Sequence, residues 1–200
     1  MSSVMSKGDS VSVEAPRRRL SPRQAATVDK LVEATLDELR EVGFDGMTVR
    51  HVARRAGVAA ATAYTYFASR EHLIAELFWR RLAVLPSPNR DARRSRTTRV
   101  SAALAAIIDS IGEEPALAAA CTVAMLSNDP EVKHLRDRIG SEVHRRLLLA
   151  MGDDADPTSI ITVEMAFWGA LVQAGGRHVT YAELPGLLGQ VVGLVTRGER

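Results

Sequence analysis

The segment from Thr48 to Phe67 admits few folds. Val49, Val52 and Ala53 recur at the i, i+3, i+4 spacing of one helical face. Ala56-Gly57-Val58 breaks that phase, and Gly57 predicts a backbone of positive φ, which a residue with a Cβ resists. A second apolar turn runs from Ala59 to Phe67 and carries Thr62, Tyr64, Thr65 and Tyr66 as its polar atoms. Two short helices about a Gly-containing turn make a helix-turn-helix, whose second helix lies in the major groove of duplex DNA. The expectation is a DNA-binding protein.

The surrounding chain supplies the support such a motif needs. Ser21, Pro22 and Gln24 form an N-cap, an N1 proline and a capping-box partner. Val28, Leu31, Val32, Thr35, Leu36, Leu39 and Val42 then stripe one helix up to Gly43, with Glu38 assigned to its polar face. Thr48 is placed as the N-cap of the first motif helix, and Ser69 as the cap of a helix striped by Leu73, Ile74, Leu77 and Phe78. Residues 86–99 are polar and rich in breakers and predict a linker, with the next helix starting within it or near Arg94. Val100, Leu104, Ile107, Ile108 and Ile111 stripe that helix, and further helices are predicted from Pro115, Pro130 and Pro157, with a last one from Thr180 or Glu183. No segment alternates as a strand does. The expected fold is all-α, about nine helices, with an N-terminal three-helix domain and a C-terminal helical bundle.

Charge divides along the same line. Residues 1–99 hold 18 Lys/Arg against 11 Asp/Glu, a net +7, whereas residues 100–200 hold 8 against 13, a net −5. A basic N-terminal half suits a nucleic-acid partner, and the acidic half suits another task. Arg17-Arg18-Arg19 closes a region, residues 1–20, without periodicity, read as a disordered basic arm able to reach phosphates or a minor groove. No apolar run reaches the roughly 18–20 residues of a membrane span. The single Cys121 and the lack of an apolar leader predict a reducing, cytoplasmic, nucleoid-associated setting.

Catalysis finds no support in the pattern. The chain has no nucleophile elbow, Gly-rich phosphate loop, Ser/His/acid set or His-x-x-x-His pair. Gly152-Asp153-Asp154-Ala155-Asp156 lacks the terminal Glu of a calcium loop and reads as a turn and helix cap. His134 and His144 are too far apart along a helix to share a metal, and His51 and His72 are assigned to exposed helix faces. No enzyme, metal or cofactor is expected.

The combination Thr48-Val-Arg-His-Val-Ala-Arg-Arg-Ala-Gly-Val, Tyr64-Thr-Tyr-Phe and Ser69-Arg-Glu-His-Leu resembles the DNA-binding domain of TetR-family transcriptional regulators. The resemblance covers about residues 28–77. It implies a homodimer, an all-helical ligand domain and, most often, a repressor released from a palindromic operator by a small molecule. By position it implies DNA contacts from Thr48, Arg50, Thr62, Tyr64, Thr65, Tyr66 and Arg70, the last standing where the family usually has Lys. Tyr64 suits a phosphate, and Thr62 and Thr65 suit base edges or thymine methyls. Ala59-Ala60-Ala61 departs from the family's Ser, Pro and Gly, leaving the second motif helix without a side-chain cap at a cost of about 1 kcal/mol. With no Asn, Gln or Arg in that helix, sequence choice is expected to lean on Arg50, the arm and DNA shape.

The acidic half resembles actinobacterial regulators of steroid and fatty-acyl catabolism only loosely. Residues 21–67 are read as the DNA-binding domain, 68–85 as a connecting helix, 86–99 as the linker, and 100–200 as the ligand-binding and dimerisation domain. Cys121, Met125, Met165, Phe167 and Trp168 are the candidates to line an apolar pocket for a small hydrophobic effector, such as an acyl-CoA, a lipid or a steroid derivative. The last two helices carry enough apolar surface for a four-helix dimer interface. A ligand-independent regulator or activator is the alternative.

Overall fold

Side-chain caps set most of the helix starts. The computed structural model describes residues 21–91 and 93–198, so the basic arm expected over residues 1–20 lies outside the described residues. Among those residues the chain forms nine helices and no strand. Ser21 accepts the Gln24 N–H while the Gln24 side chain accepts the Ser21 N–H at 2.8 Å, a complete capping box for α1 (Pro22–Gly46). Gly43 interrupts α1 at φ 71°, so the helix proper stops there, as its sequence predicts, and a short turn carries the chain on to Gly46. Thr48 and Ser69 cap α2 (Val49–Arg55) and α4 (Arg70–Ala83) through the N–H groups of His51 and His72. Between α2 and α3 (Ala60–Tyr66), Gly57 takes φ 66°, the left-handed turn the motif requires.

The bundle follows with α5 (Arg96–Gly112), α6 (Pro115–Leu126), α7 (Pro130–Met151), α8 (Pro157–Gly175) and α9 (Leu184–Arg197). Asp129 and Asp156 each cap a helix whose first residue is proline. Ser95 caps α5, so four residues of the expected 86–99 linker are helical. The arginines of that stretch are structural. Arg96 pairs with Asp154 at 2.8 Å, and Arg99 donates to the carbonyls of Ala150 and Met151 at the end of α7.

One continuous apolar core joins both halves, running from Leu31 and Val52 through Phe78 to Ile107, Phe167 and Leu188. Two charged side chains assigned to surfaces or passed over in the sequence are buried within it. Glu38, expected on the polar face of α1, is 2% exposed because Arg55 of α2 donates to it at 2.7 Å and fixes α1 against the motif. Arg146 of α7 is 3% exposed and donates to the carbonyls of Leu82, Leu85 and Pro86.

Candidate nucleic-acid interface and internal cavity

The surface of α3 is built on two anchors, Ala63 and Phe67, which sink into the core and turn the opposite face outward. Thr62, Tyr64 and Thr65 occupy that outward face, with Tyr64 50% exposed. Tyr66 differs from the expectation. It is half-buried and packs against the core at the C-terminal end of α3, next to the buried Phe67. No side chain caps α3 at Ala59, in keeping with the alanine run.

Thr48 and Arg50 are both exposed at the start of α2, and Arg50 makes no hydrogen bond or ion pair among the described residues. Arg54 is exposed one turn further on, at i+4 from Arg50 and so on the same face. Sequence reasoning passed over Arg54, although that spacing carried the signal. Arg55, by contrast, is held by Glu38 and Glu41.

A depression of about 250 Å³ brings Thr48, Tyr64, Ser69 and Arg70 together from three helix ends. Arg70 sits there with most of its donors already engaged. Its Nη1 donates to the carbonyls of Phe44 and Asp45 at 2.9 and 3.0 Å, its Nε donates to Glu71, and its guanidinium lies 4.3 Å over the Phe44 ring. The residue expected to hold a phosphate therefore first ties the turn after α1 to α4. His51 and His72, expected on exposed faces, are half-buried. Burial pushes the His72 imidazole below its usual range, and Nδ1 accepts the Ala68 N–H at 3.4 Å.

A cavity of about 550 Å³ opens between α4, α5, α6, α7 and α8. Its size falls within the roughly 300–1,000 Å³ of small-molecule sites. Cys121, Met125 and Trp168 line it, together with Phe78, Ile111 and Leu171. Phe167 does not; it lies wholly in the core behind, edge-on to Trp168 with ring centroids 5.1 Å apart. Met165 does not either. It is 71% exposed, because α8 is apolar on several faces and Met165 follows Ile161 at i+4 on the outer one. Burial pushes the Cys121 thiol up, so it is protonated at neutral pH. Thr122 at the cavity wall shares its hydroxyl with the Ala118 and Leu171 carbonyls and the Tyr181 hydroxyl.

The cavity touches α4 through Phe78, and α7 grips α4 along its whole length. At one end the Ser69 hydroxyl donates to Asp129 at 2.6 Å, which holds the Asp129 carboxyl below the usual carboxylate range. In the middle Arg138 stacks 3.8 Å over Trp79. At the other end Arg146 caps the α4 carbonyls. Both helices accordingly run in the same direction, with the caps of α4 and α7 bonded to each other next to α3. A further link joins α1 to the start of α6, where Glu114 accepts two hydrogen bonds of 2.8 Å from Arg40 and one from Arg81.

Among the described residues no three His, Cys, Asp or Glu side chains gather as a metal site, and no helix is long and apolar enough to cross a membrane.

Comparison with known proteins agrees with this geometry. Residues 31–77 match the model of the bacterial regulatory proteins of the tetR family. The chain is 46% identical to an uncharacterised HTH-type transcriptional regulator of Mycobacterium tuberculosis over 178 residues, 88% of this chain and 83% of that protein. It is 29% identical to the HTH-type transcriptional repressor KstR of Rhodococcus jostii over 64% of this chain and 61% of that one. Among solved structures, a TetR transcriptional regulator from Rhodococcus sp. RHA1 superposes with a TM-score of 0.71 at 19% identity, covering 84% of this chain and 96% of that one. The Thermus thermophilus repressor FadR in complex with lauroyl-CoA superposes with a TM-score of 0.61 at 15% identity, covering 82% and 92%.

Proposed function

The chain belongs to the TetR family of DNA-binding transcriptional regulators, and from that premise we propose that it is a repressor whose homodimer leaves a palindromic operator when a small hydrophobic effector enters the cavity. The observation that carries this reading is the shared wall. Phe78 of the connecting helix α4 forms part of the cavity, while α7, which forms another part, holds α4 at three points. An occupant that spreads α7 from Phe78 tilts α4, and only three residues separate α4 from the end of α3. Coupling free energies between such sites are commonly about 1–3 kcal/mol.

The second copy covers the outer apolar stripe of α8 and α9, where Ile161, Met165, Leu187 and Leu194 are exposed. Such a dimer carries two α3 helices to successive major grooves. Thr62, Tyr64, Thr65 and Arg50 then meet DNA, with Thr48 and the remaining donors of Arg70 at the phosphates and Tyr66 bracing α3 from behind. The effector class is acyl-CoA, lipid or steroid-derived. The apolar cavity supports it, as does the lauroyl-CoA bound by a protein of the same fold. The protein works in the cytoplasm, on the nucleoid.

Footprinting on the DNA upstream of the protein's own gene tests the reading. We expect two protected half-sites with centres about 34–36 Å apart, one helical turn, or a multiple of it. Protection of a single half-site by a monomer would contradict it.

A further inference from the structure

The interior of the cavity is neutral and apolar, but its mouth is not. Arg136 lines the opening on α7 and makes no hydrogen bond or ion pair among the described residues. The two acids that attract it through space, Asp129 and Asp137, are hydrogen-bonded elsewhere. Asp137 accepts from Lys133 at 2.6 Å, and Asp129 accepts from the Ser69 hydroxyl and the Glu131 N–H. Ser141, one turn beyond Asp137, donates to the Asp137 carbonyl and keeps its own oxygen available at the rim. Between Asp137 and Ser141 the wall of α7 is Gly140, where an added Cβ would meet nothing within 4 Å. A chain can therefore cross the backbone of α7 at this point.

Deeper in, no lining side chain offers a charge. Thr122 has its hydroxyl committed to Ala118, Leu171 and Tyr181, and the remainder of the inner wall is Phe78, Ile111, Cys121, Trp168 and Leu171. Asp137 lines the same mouth, and it and Asp129 attract Arg136 through space, but neither carboxylate bonds it, so an apolar sleeve ending in a guanidinium with free donors has a definite complement.

We infer that the cavity takes an amphiphile with an anionic head group, its tail against Trp168 and Phe78 and its head paired with Arg136 at the mouth. The inference rests on the effector reading above and narrows it: an uncharged lipid or sterol leaves Arg136 unanswered. A free carboxylate and the phosphates of an acyl thioester share the required chemistry, the first reaching Arg136 directly and the second extending through the opening past Gly140.

Titration calorimetry with dodecanoate, lauroyl-CoA and dodecanol, each below its micelle concentration, tests this on the full-length protein. One or both anions should bind about ten- to a hundredfold tighter than dodecanol, the range of a charge-assisted hydrogen bond. Arg136→Gln should erase that advantage while leaving dodecanol binding unchanged, which also shows that the variant folds. Arg136→Lys should restore part of it. An advantage for dodecanoate alone identifies a carboxylate, for lauroyl-CoA alone a thioester phosphate, and either supports the inference. Equal binding of dodecanol, or an advantage that survives Arg136→Gln, overturns the head-group assignment and leaves the effector reading standing. No binding by any of the three overturns both.

Discussion

Replacing Arg146 by methionine should lower the free energy of unfolding by about 2–4 kcal/mol, among the largest effects of any single side chain in this protein. The methionine keeps the apolar stem but removes every donor. The partly buried carbonyls of Leu85 and Pro86, just past the end of α4, then lose their Arg146 donor, and the buried carbonyl of Leu82 is left with backbone N–H groups alone. For a domain of this length the thermal midpoint should fall by about 2–4 °C for each kcal/mol. Arg145 supplies the control. It pairs with the same Glu142 at 2.6 Å but is half-exposed and touches no α4 carbonyl. Arg145→Met should therefore change stability by no more than about 0.5 kcal/mol. Denaturant unfolding of the two variants side by side checks the assignment, and equal losses would refute the capping role of Arg146. Since Arg146 also fixes one end of α4 to α7, its replacement should blunt any effector response that survives.

The second large effect concerns DNA. Thr62→Ala combined with Tyr64→Phe should weaken operator binding by about two to four orders of magnitude, because each hydroxyl contact is lost once per half-site and the dimer presents two. Both side chains are exposed and neither bonds within the protein, so the thermal midpoint should stay within about 1 °C of the parent's. Arg50→Ala separates base from phosphate contacts. An arginine on a phosphate lowers the salt slope of binding by about one per half-site when removed, whereas a base contact changes sequence preference instead. Unchanged operator affinity in the double variant would remove α3 from the interface.

These cases show what was legible before the structure. Most helices that begin with their own capping residue could be placed from local spacing: Ser21, Thr48, Ser69, Asp129 and Asp156 each bond an N–H two or three residues ahead. The start of α5 was harder, since Arg96 and Arg99 look like solvated linker until their partners near Gly152, more than fifty residues away, are known. Glu38, Arg70 and Arg146 escaped for the same reason. A charged side chain is assigned to the surface by its chemistry, and only tertiary partners such as Arg55, the Phe44 carbonyl or the end of α4 justify its burial.

The cavity was half legible. Cys121 and Met125 follow from the phase of α6, but α8 is apolar around most of its circumference, and no periodicity distinguishes Trp168 at the cavity from Phe167 in the core or Met165 outside. Arg136 gave no signal at all. It is one of many arginines, and its meaning lies in which neighbours are already paired.

The coupling between cavity and motif is the central claim, and fluorescence anisotropy of the footprinted duplex, titrated with protein in the presence and absence of saturating lauroyl-CoA, measures it directly. Occupancy should weaken operator affinity by about 5- to 150-fold, and the duplex should weaken lauroyl-CoA binding by the same factor, as linkage between two sites demands. Superimposable DNA-binding curves, with calorimetry showing the cavity filled, would contradict the account.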